Sequence, residues 1–163
     1  MPNEFPVREN AHSITAYMIV PCCVEALAFY EKAFDAQTTF RLDGPGGSTM
    51  HAQMRIGDSN VMMTDENLNL GMKSPATLGG CTSSLHIHVA DVDAAQQQAV
   101  EAGCEVLMPA ADMFWGARFC QLQDPFGHQW SIAEDIEKVS PEELMKRHAE
   151  VLQQMEQGTM GQK

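Results

Sequence analysis

Long apolar runs are absent from this 163-residue sequence. No window approaches the roughly 18 uninterrupted apolar residues that indicate a membrane-spanning helix. The first ten residues, MPNEFPVREN, also lack the basic start and apolar core of a signal peptide. We therefore expect a protein with no membrane partner and a cytoplasmic location.

Basic residues are scarce as well. Ten Lys and Arg stand against 22 Asp and Glu, so the formal charge is −12. A charge of this sign and size repels the phosphate backbone of DNA or RNA. Nucleic-acid binding is not expected.

The five cysteines form no recognisable pattern. They are odd in number, Cys22 and Cys23 are adjacent, and no pair has CxxC spacing. This usage argues against a disulfide framework and against a structural zinc cluster. Enzyme motifs are missing too: there is no GxSxG elbow, and the glycine-rich GPGGS at 44–48 lacks the Lys and the following helix of a phosphate-binding loop.

The first half of the chain contains the signals of one helix among strands. Apolar residues recur at helical spacing over 24–34, which predicts a helix. Runs rich in β-branched, aromatic or alternating apolar residues predict the strands. These runs cover 14–20, 36–43, 49–57 and 60–66.

The second half repeats this order after a polar linker over 67–80. Asp91 is a good N-cap, and Gly103 is typical of the position just past a helix end. A helix is therefore predicted between them. The accompanying strands are predicted over 83–90, 105–113, 117–123 and 128–135.

Both halves thus read βαβββ, and adding 69 to a position in the first half gives its counterpart in the second. Val20 corresponds to Val89, Asp43 to Asp112 and Gly47 to Gly116. Coincident element boundaries of this kind indicate an internal repeat. The predicted organisation is a loose arm over 1–12, a domain over 13–136 with modules at 13–66 and 82–136, and a C-terminal helix and tail over 137–163.

The tail has its own helix signal. Ser140, Pro141 and Glu143 form a capping box with proline at the first helical position. Apolar residues then share one face as far as Met155. An amphipathic helix of this length needs a surface to pack on, either on its own domain or on a second subunit.

Three segments resemble the vicinal oxygen chelate superfamily of glyoxalases, bleomycin- and fosfomycin-resistance proteins and extradiol dioxygenases. They are AFYEKAF on the first helix, RIGDSNVMM near mid-chain and DPFGHQWSIAE near the end. SLHIHVADVDA and FWGARF are most similar to its PhnB-like branch. The resemblance, over residues 14–134, implies an α+β fold in which tandem βαβββ modules form curved mixed sheets around a cavity, and it implies a homodimer.

The resemblance also implies four metal-ligand positions, on the first and last strand of each module. In this sequence these positions carry Thr15, Met62, Ser84 and Ser131. Transition metals prefer imidazole, thiolate or carboxylate ligands. No metal cofactor is therefore expected, and a divalent metal remains the minority alternative.

Strand alternation predicts which side chains face the cavity. Tyr17 follows Thr15 by two residues, and His86 and His88 follow Ser84, so all three should point inward, with Tyr17 and His86 facing each other. On the third strand, Met50, Ala52, Met54 and Ile56 should pack on the helices and leave His51, Gln53 and Arg55 inside. The offset of 69 adds Arg118, Cys120 and Leu122, and the FWG turn with Phe114 and Trp115 should form an aromatic lip. The candidate ligand-binding residues are Tyr17, His51, His86, His88, Trp115, Arg118 and Ser131.

This set predicts a metal-independent small-molecule binding protein of the bleomycin-resistance type. Aromatic rings, an arginine and imidazoles suit an anionic or carbonyl-bearing aromatic ligand. In a purely structural interpretation, Arg118 instead pairs with Asp112 or Asp124.

Two other functions stay open. One is a glyoxalase-like lyase or isomerase, which uses either a displaced metal site of His51, His86 and His88 or acid–base catalysis by His86 with Tyr17. Glu134 is the fourth ligand in that metal site, although alternation points it to the opposite face. The other is a structural dimer without a ligand.

Overall fold

The computed structural model describes residues 12–157, which comprise two similar modules followed by a helix. The first module contains β1 (Ala16–Val20), α1 (Cys23–Phe34), β2 (Gln37–Asp43), β3 (Thr49–Ile56) and β4 (Ser59–Asp65). A short helix, α2 (Pro75–Leu78), lies in the connection. The second module contains β5 (Ser84–His88), α3 (Val92–Ala102), β6 (Glu105–Asp112), β7 (Ala117–Gln123) and β8 (Gln129–Asp135), and α4 (Pro141–Glu156) follows.

Each module forms one four-stranded mixed sheet. The strand orders are β1-β4-β3-β2 and β5-β8-β7-β6, with the first pair of each sheet parallel and the others antiparallel. One face of each sheet packs on the helices, because alternate residues such as Met18, Val20, Met54 and Met63 are buried there. This architecture confirms the predicted α+β fold of two βαβββ modules.

The connection that looked like a polar linker is partly ordered by local caps. The Asn67 side chain accepts hydrogen bonds from the N–H groups of Asn69 and Leu70 and so closes a single 3-10 turn. Ser74 caps α2 through a bond from the Thr77 N–H, and Pro75 occupies the first helical position. Both signals lie in the sequence, but a four-residue helix is too short to show periodicity.

A buried carboxylate joins the two modules. Asp124, in the β7–β8 turn, accepts the O–H of Tyr30 on α1 at 2.6 Å and the Nε1–H of Trp130 at 2.8 Å. It also accepts two backbone N–H groups of its own turn, those of Phe126 and His128, at 2.9 Å. Because Tyr30 belongs to the first module and Asp124 to the second, this network fixes how the modules pack.

A β-bulge at Met50 breaks the constant offset between the modules. Leu42 pairs with His51 and Asp43 with Thr49, so Met50 is an extra residue in β3, and its side chain is exposed. The prediction that Met50 packs on the helices is therefore wrong. Past the bulge, β3 matches β7 with an offset of 68.

A one-residue change of offset reverses which face each side chain occupies. Cys120 and Leu122 are fully buried in the core on the helix side, and Arg118 lies on that side as well. The prediction that these three residues line the cavity is wrong. In β7, the residues opposite the helices are Phe119 and Gln121, which pair with Ala133 and Ser131 of β8.

The C-terminal helix begins where the capping signal predicts. Ser140 accepts the Glu143 N–H, whereas the Glu143 carboxylate binds Arg147 instead of completing the capping box. Met145, Leu152 and Met155 on this helix are exposed. Within residues 12–157, no helix has the length and apolar character that a membrane span requires.

The cysteines differ sharply in accessibility, and this predicts their reactivity. Cys23, Cys104 and Cys120 are buried, and burial raises the pKa of Cys104 to about 12. Since the thiolate is the reactive form, only the half-buried Cys22 and Cys81 are expected to react with a thiol reagent in the native protein. Mass spectrometry after brief alkylation checks this result, and alkylation of Cys104 without denaturant would contradict it.

Candidate functional site

The concave face of the first sheet, the face away from the helices, carries a hydrogen-bonded group of three side chains. The Gln53 amide nitrogen lies 2.9 Å from Nε2 of His51, and the Tyr17 hydroxyl lies 3.3 Å from Nδ1. Because the amide N–H donates to Nε2, a neutral His51 carries its proton on Nδ1 and donates it to the Tyr17 oxygen. The Tyr17 O–H is then free to donate to a ligand.

The concave face of the second sheet is richer in rings. Nδ1 of His86 lies 2.7 Å from the hydroxyl of Ser131, which is buried. The rings of His86 and His88 are 4.7 Å apart, and Phe119 stacks on His86 at 6.1 Å. Trp115 contacts Phe119 at 5.9 Å from the neighbouring turn.

These contacts continue to the C-terminal helix. Phe114 lies 5.0 Å from Trp115 and stacks on His148 of α4 at 5.9 Å. Arg147 holds the helix in place, since it binds Glu137 through both carboxylate oxygens. The resulting aromatic run consists of His88, His86, Phe119, Trp115, Phe114 and His148.

Sequence reasoning missed two members of the aromatic run. Phe119 was left out of the candidate residues because the constant offset put its neighbours Arg118 and Cys120 on the cavity side, and the Met50 bulge changes that offset between β3 and β7. For His148, the sequence indicated only a helix in need of a packing partner, and only the fold shows that this partner includes Phe114. The predicted aromatic lip of Phe114 and Trp115 lies at the edge of this face.

His86 has a lowered pKa. Partial burial is the main cause, and the nearby His88 adds to it. The imidazole of His86 is therefore neutral at pH 7, so it can either donate or accept a hydrogen bond.

The lowered pKa predicts a pH effect on stability. Unfolded His86 takes up a proton near its ordinary pKa, while folded His86 resists protonation, so acidification below about pH 6.5 favours the unfolded state. We expect the melting temperature to fall less between pH 7.5 and 5.5 in His86→Gln than in wild type. His12→Gln, at an exposed position, serves as the control, and an unchanged pH dependence in His86→Gln would contradict the expectation.

Arg118 is not on the concave face. Its guanidinium binds Asp93 at the start of α3 at 2.7 and 2.8 Å and Asp112 at 2.7 Å. The predicted alternative in which Arg118 pairs with Asp112 is confirmed. Arg118 also lowers the pKa of the Asp93 carboxyl, and its role is to hold the second sheet on α3.

The sheets and the sequence now point to one family. The profile of the Glyoxalase/Bleomycin resistance protein/Dioxygenase superfamily matches residues 12–132. The chain belongs to this superfamily. An uncharacterized protein of Mycobacterium bovis is 38% identical over 135 residues, which are 81% of this chain and 89% of the relative.

Solved structures share the fold of this superfamily member. TioX from Micromonospora sp. ML1 has a TM-score of 0.60 and 20% identity, covering 77% of this chain and 99% of TioX. A Bacillus cereus PhnB protein, described as a putative 3-demethylubiquinone-9 3-methyltransferase, has a TM-score of 0.59 and 19% identity, covering 76% and 99%. At these identities the similarity concerns the fold alone.

The strand register gives Tyr17 and His86 the same place in their two modules. Tyr17 pairs with Met62 in the first module, and His86 pairs with Ser131 in the second, so Tyr17 and His86 are structural counterparts. Within residues 12–157, however, no hydrogen bond or ring contact joins them. Tyr17 contacts His51, and His86 contacts Ser131.

The displaced metal site is not assembled within one chain. His51 lies on the first sheet, whereas His86 and His88 lie on the second. Glu134 points to the opposite face, as alternation predicted, and accepts the Val92 N–H at the start of α3 at 3.2 Å. In the described part of the chain, no three His, Cys, Asp or Glu side chains are placed to share a metal ion.

Proposed function

We propose that the protein binds a small organic molecule on its concave sheet faces without a metal ion. The observation that carries this proposal is the aromatic run beside the His86–Ser131 hydrogen bond. Ser131 occupies one of the superfamily's implied metal-ligand positions, where it supplies a hydroxyl instead of a metal ligand. Trp115 is 39% exposed and Tyr17 is 51% exposed, so both rings are accessible to a ligand. Aromatic burial supplies the affinity, and the imidazoles and hydroxyls orient the ligand.

The charges of the nearby groups support a narrower choice of ligand. Arg118 is engaged by two carboxylates away from the concave faces, which removes the predicted cationic anchor. Uncharged donors and acceptors remain on both faces: neutral His86 on the second sheet, and the Tyr17 hydroxyl and the Gln53 amide on the first. These groups suit a planar aromatic molecule with a carbonyl or hydroxyl better than an obligate anion.

A homodimer is part of the proposal. Besides Tyr17, the first module exposes Phe40 and Leu42, each 49% exposed. An exposed apolar surface of this kind is typical of a site that a partner covers. In the proposed dimer, the first sheet of one copy faces the second sheet of the other and encloses the ligand between them.

Removing Trp115 is expected to weaken ligand binding about tenfold or more. The loss of an aromatic partner removes on the order of 1 kcal/mol of stacking in addition to the buried area. Thermal-shift titration with flavone, hydroxyflavones and acetophenones compares Trp115→Ala with the control Met145→Ala, whose side chain is exposed on α4. Stabilisation of wild type by none of these probes would contradict ligand binding and favour the structural dimer.

Metal analysis tests the proposal that the protein works without a metal ion. Protein purified without chelator is expected to contain no stoichiometric zinc, nickel or iron. A bound metal that is lost in the His51→Ala, His86→Ala double variant would overturn metal independence. Light scattering coupled to size exclusion measures the dimer in the same samples.

A second candidate function is acid–base catalysis by His86. The observation that favours it is the 2.7 Å contact with Ser131 together with the lowered pKa, since a neutral imidazole can accept a proton. Within one chain Tyr17 contacts His51 instead of His86, so a Tyr17 that acts together with His86 comes from the second copy of the proposed dimer. Turnover that is lost in His86→Gln while ligand binding remains would support catalysis.

A further inference from the structure

A cavity of about 920 Å³ lies between the two modules. It is bordered by residues of both modules, among them Phe34, Ile56, Leu85, Ile87 and Trp130. Tyr17, His51, Phe119, Trp115 and Ser131 do not border it. β5 is an edge strand, so residues on both of its faces border the cavity. Leu85 and Ile87 do so from one face, and His86 and His88 from the other.

The inner wall of this cavity is apolar. Trp130 is only 1% exposed and contacts Phe34 with ring centroids 4.6 Å apart. Leu85 and Ile87 on β5 and Val61 on β4 extend the same surface. Small-molecule sites usually enclose about 300–1,000 Å³ and combine apolar walls with a few polar groups, and this cavity has the size and the apolar wall of such a site.

The rim of the cavity carries an arginine without a carboxylate partner. Residues 12–157 contain four arginines, and three of them are ion-paired: Arg41 with Asp43, Arg118 with Asp93 and Asp112, and Arg147 with Glu137 and Glu143. In this part of the chain Arg55 has no carboxylate within 4.0 Å, and its NH2 group donates to Oε1 of Gln37 at 2.6 Å. Its other donors are available to a bound molecule.

Two carboxylates share this rim, and both keep their negative charge because their hydrogen-bond donors are neutral groups. Asp35 accepts the Gln98 amide at 3.0 Å, and Asp58 accepts the Ser59 hydroxyl at 2.9 Å. Among the described residues Arg55 is the one Lys or Arg side chain that borders the cavity, so it is the group that attracts an anion against the negative charge of the two carboxylates and of the whole chain. A planar guanidinium pairs well with a carboxylate through two parallel hydrogen bonds.

We propose that the cavity between the modules is a second ligand site, which takes an amphipathic organic anion. Its aliphatic or aromatic tail lies against Phe34, Leu85 and Ile87, next to the buried Trp130, and its carboxylate binds Arg55. The site shares His86 and His88 with the concave face of the second sheet. Its anchor, Arg55, and its apolar wall lie outside the aromatic run, so it does not depend on the function proposed for that run.

Tryptophan fluorescence tests the site directly, because the two tryptophans report on different places. The Trp115→Phe variant leaves Trp130, in the cavity wall, as the sole fluorophore. The probe is dodecanoate below its critical micelle concentration. Dodecanol, which is neutral, and dodecyltrimethylammonium, which is cationic, are controls with a tail of the same length. We expect a saturable change in Trp130 emission with dodecanoate and binding at least tenfold weaker with the other two.

The arginine variants provide the second arm. Arg55→Gln is expected to weaken dodecanoate binding at least tenfold, while Arg41→Gln, at a comparably exposed position on the neighbouring strand, leaves it unchanged. Equal binding of the three probes, or no effect of Arg55→Gln, would overturn the proposal. Dodecanoate affinity that falls as the protein concentration rises would also overturn it, since a second copy then covers the cavity.

The outcomes separate this site from the concave one. Trp115→Ala removes a ring of the concave face and leaves the walls of the cavity intact. Dodecanoate binding that persists in Trp115→Ala, with flavone binding absent from wild type, supports the cavity and rejects the concave site. The opposite pattern rejects the cavity alone.

Discussion

Asp124→Ala is expected to lower the free energy of unfolding by about 3–5 kcal/mol, because the change leaves buried donors without an acceptor. The carboxylate is 3% exposed and accepts the Tyr30 O–H and the Trp130 Nε1–H. Each unsatisfied buried donor costs about 1–3 kcal/mol, and the β7–β8 turn loses its two backbone contacts as well. Urea unfolding at pH 7 measures the difference.

Two control variants distinguish the stability lost with the hydrogen-bond network from the stability lost with a negative charge alone. Asp135→Ala removes an exposed carboxylate and is expected to change the unfolding free energy by less than about 0.5 kcal/mol. Tyr30→Phe removes one bond of the network and should cost about 1–2 kcal/mol. Burial and Asp124 raise the pKa of Tyr30, which keeps its O–H available as a donor. A double variant whose effect equals the sum of the two single changes would show that Tyr30 and Asp124 are not coupled.

Gly116→Ala is expected to destabilise the protein by about 3 kcal/mol or more and to disturb the aromatic run. Gly116 has φ +90°, and an added Cβ would lie 2.6 Å from the Glu137 carbonyl oxygen and 2.6 Å from Val139 Cγ2. The Gly116 carbonyl also accepts the N–H groups of Ile136 and Glu137. The substitution therefore pushes the turn that carries Trp115 away from the segment that leads to α4.

A substitution at a second glycine distinguishes the cost of the steric clash at Gly116 from the cost of backbone strain. Gly79 has φ +72°, but an added Cβ there meets no atom within 4 Å. Gly79→Ala should therefore cost only the left-handed strain of about 1–2 kcal/mol. Chemical denaturation compares the two variants, and near-ultraviolet circular dichroism reports on Trp115. Equal destabilisation by both substitutions would show that the contact with Glu137 is unimportant.

Most elements of the fold could be predicted because their signals are local. The β7 strand was predicted with its observed bounds, and Asp91 caps α3 by accepting the Ala94 N–H. Alternation also placed Glu134 correctly on the helix side of the second sheet, opposite the concave face. Periodicity and capping depend on neighbours a few residues away, so a single sequence contains the information they need.

The candidate site was predicted less completely. His86 was singled out from strand alternation and Ser131 from the family resemblance, and the structure brings the two within hydrogen-bonding distance. Arg118 was placed on the wrong face and Phe119 was left out, because the comparison of the two modules assumed a constant offset. One bulged residue reverses the alternation of a strand, and a bulge leaves little trace in sequence when both flanking residues suit a strand.

The sequence by itself therefore determined the two βαβββ modules, the caps of their helices and the absence of superfamily metal ligands at Thr15, Met62, Ser84 and Ser131. Tertiary structure alone decided how the modules join through Asp124 and Tyr30, and it alone produced the cavity beside Arg55. The physical reason is range. Residues 94 positions apart meet only when both modules have folded, and no local pattern in the chain records that contact.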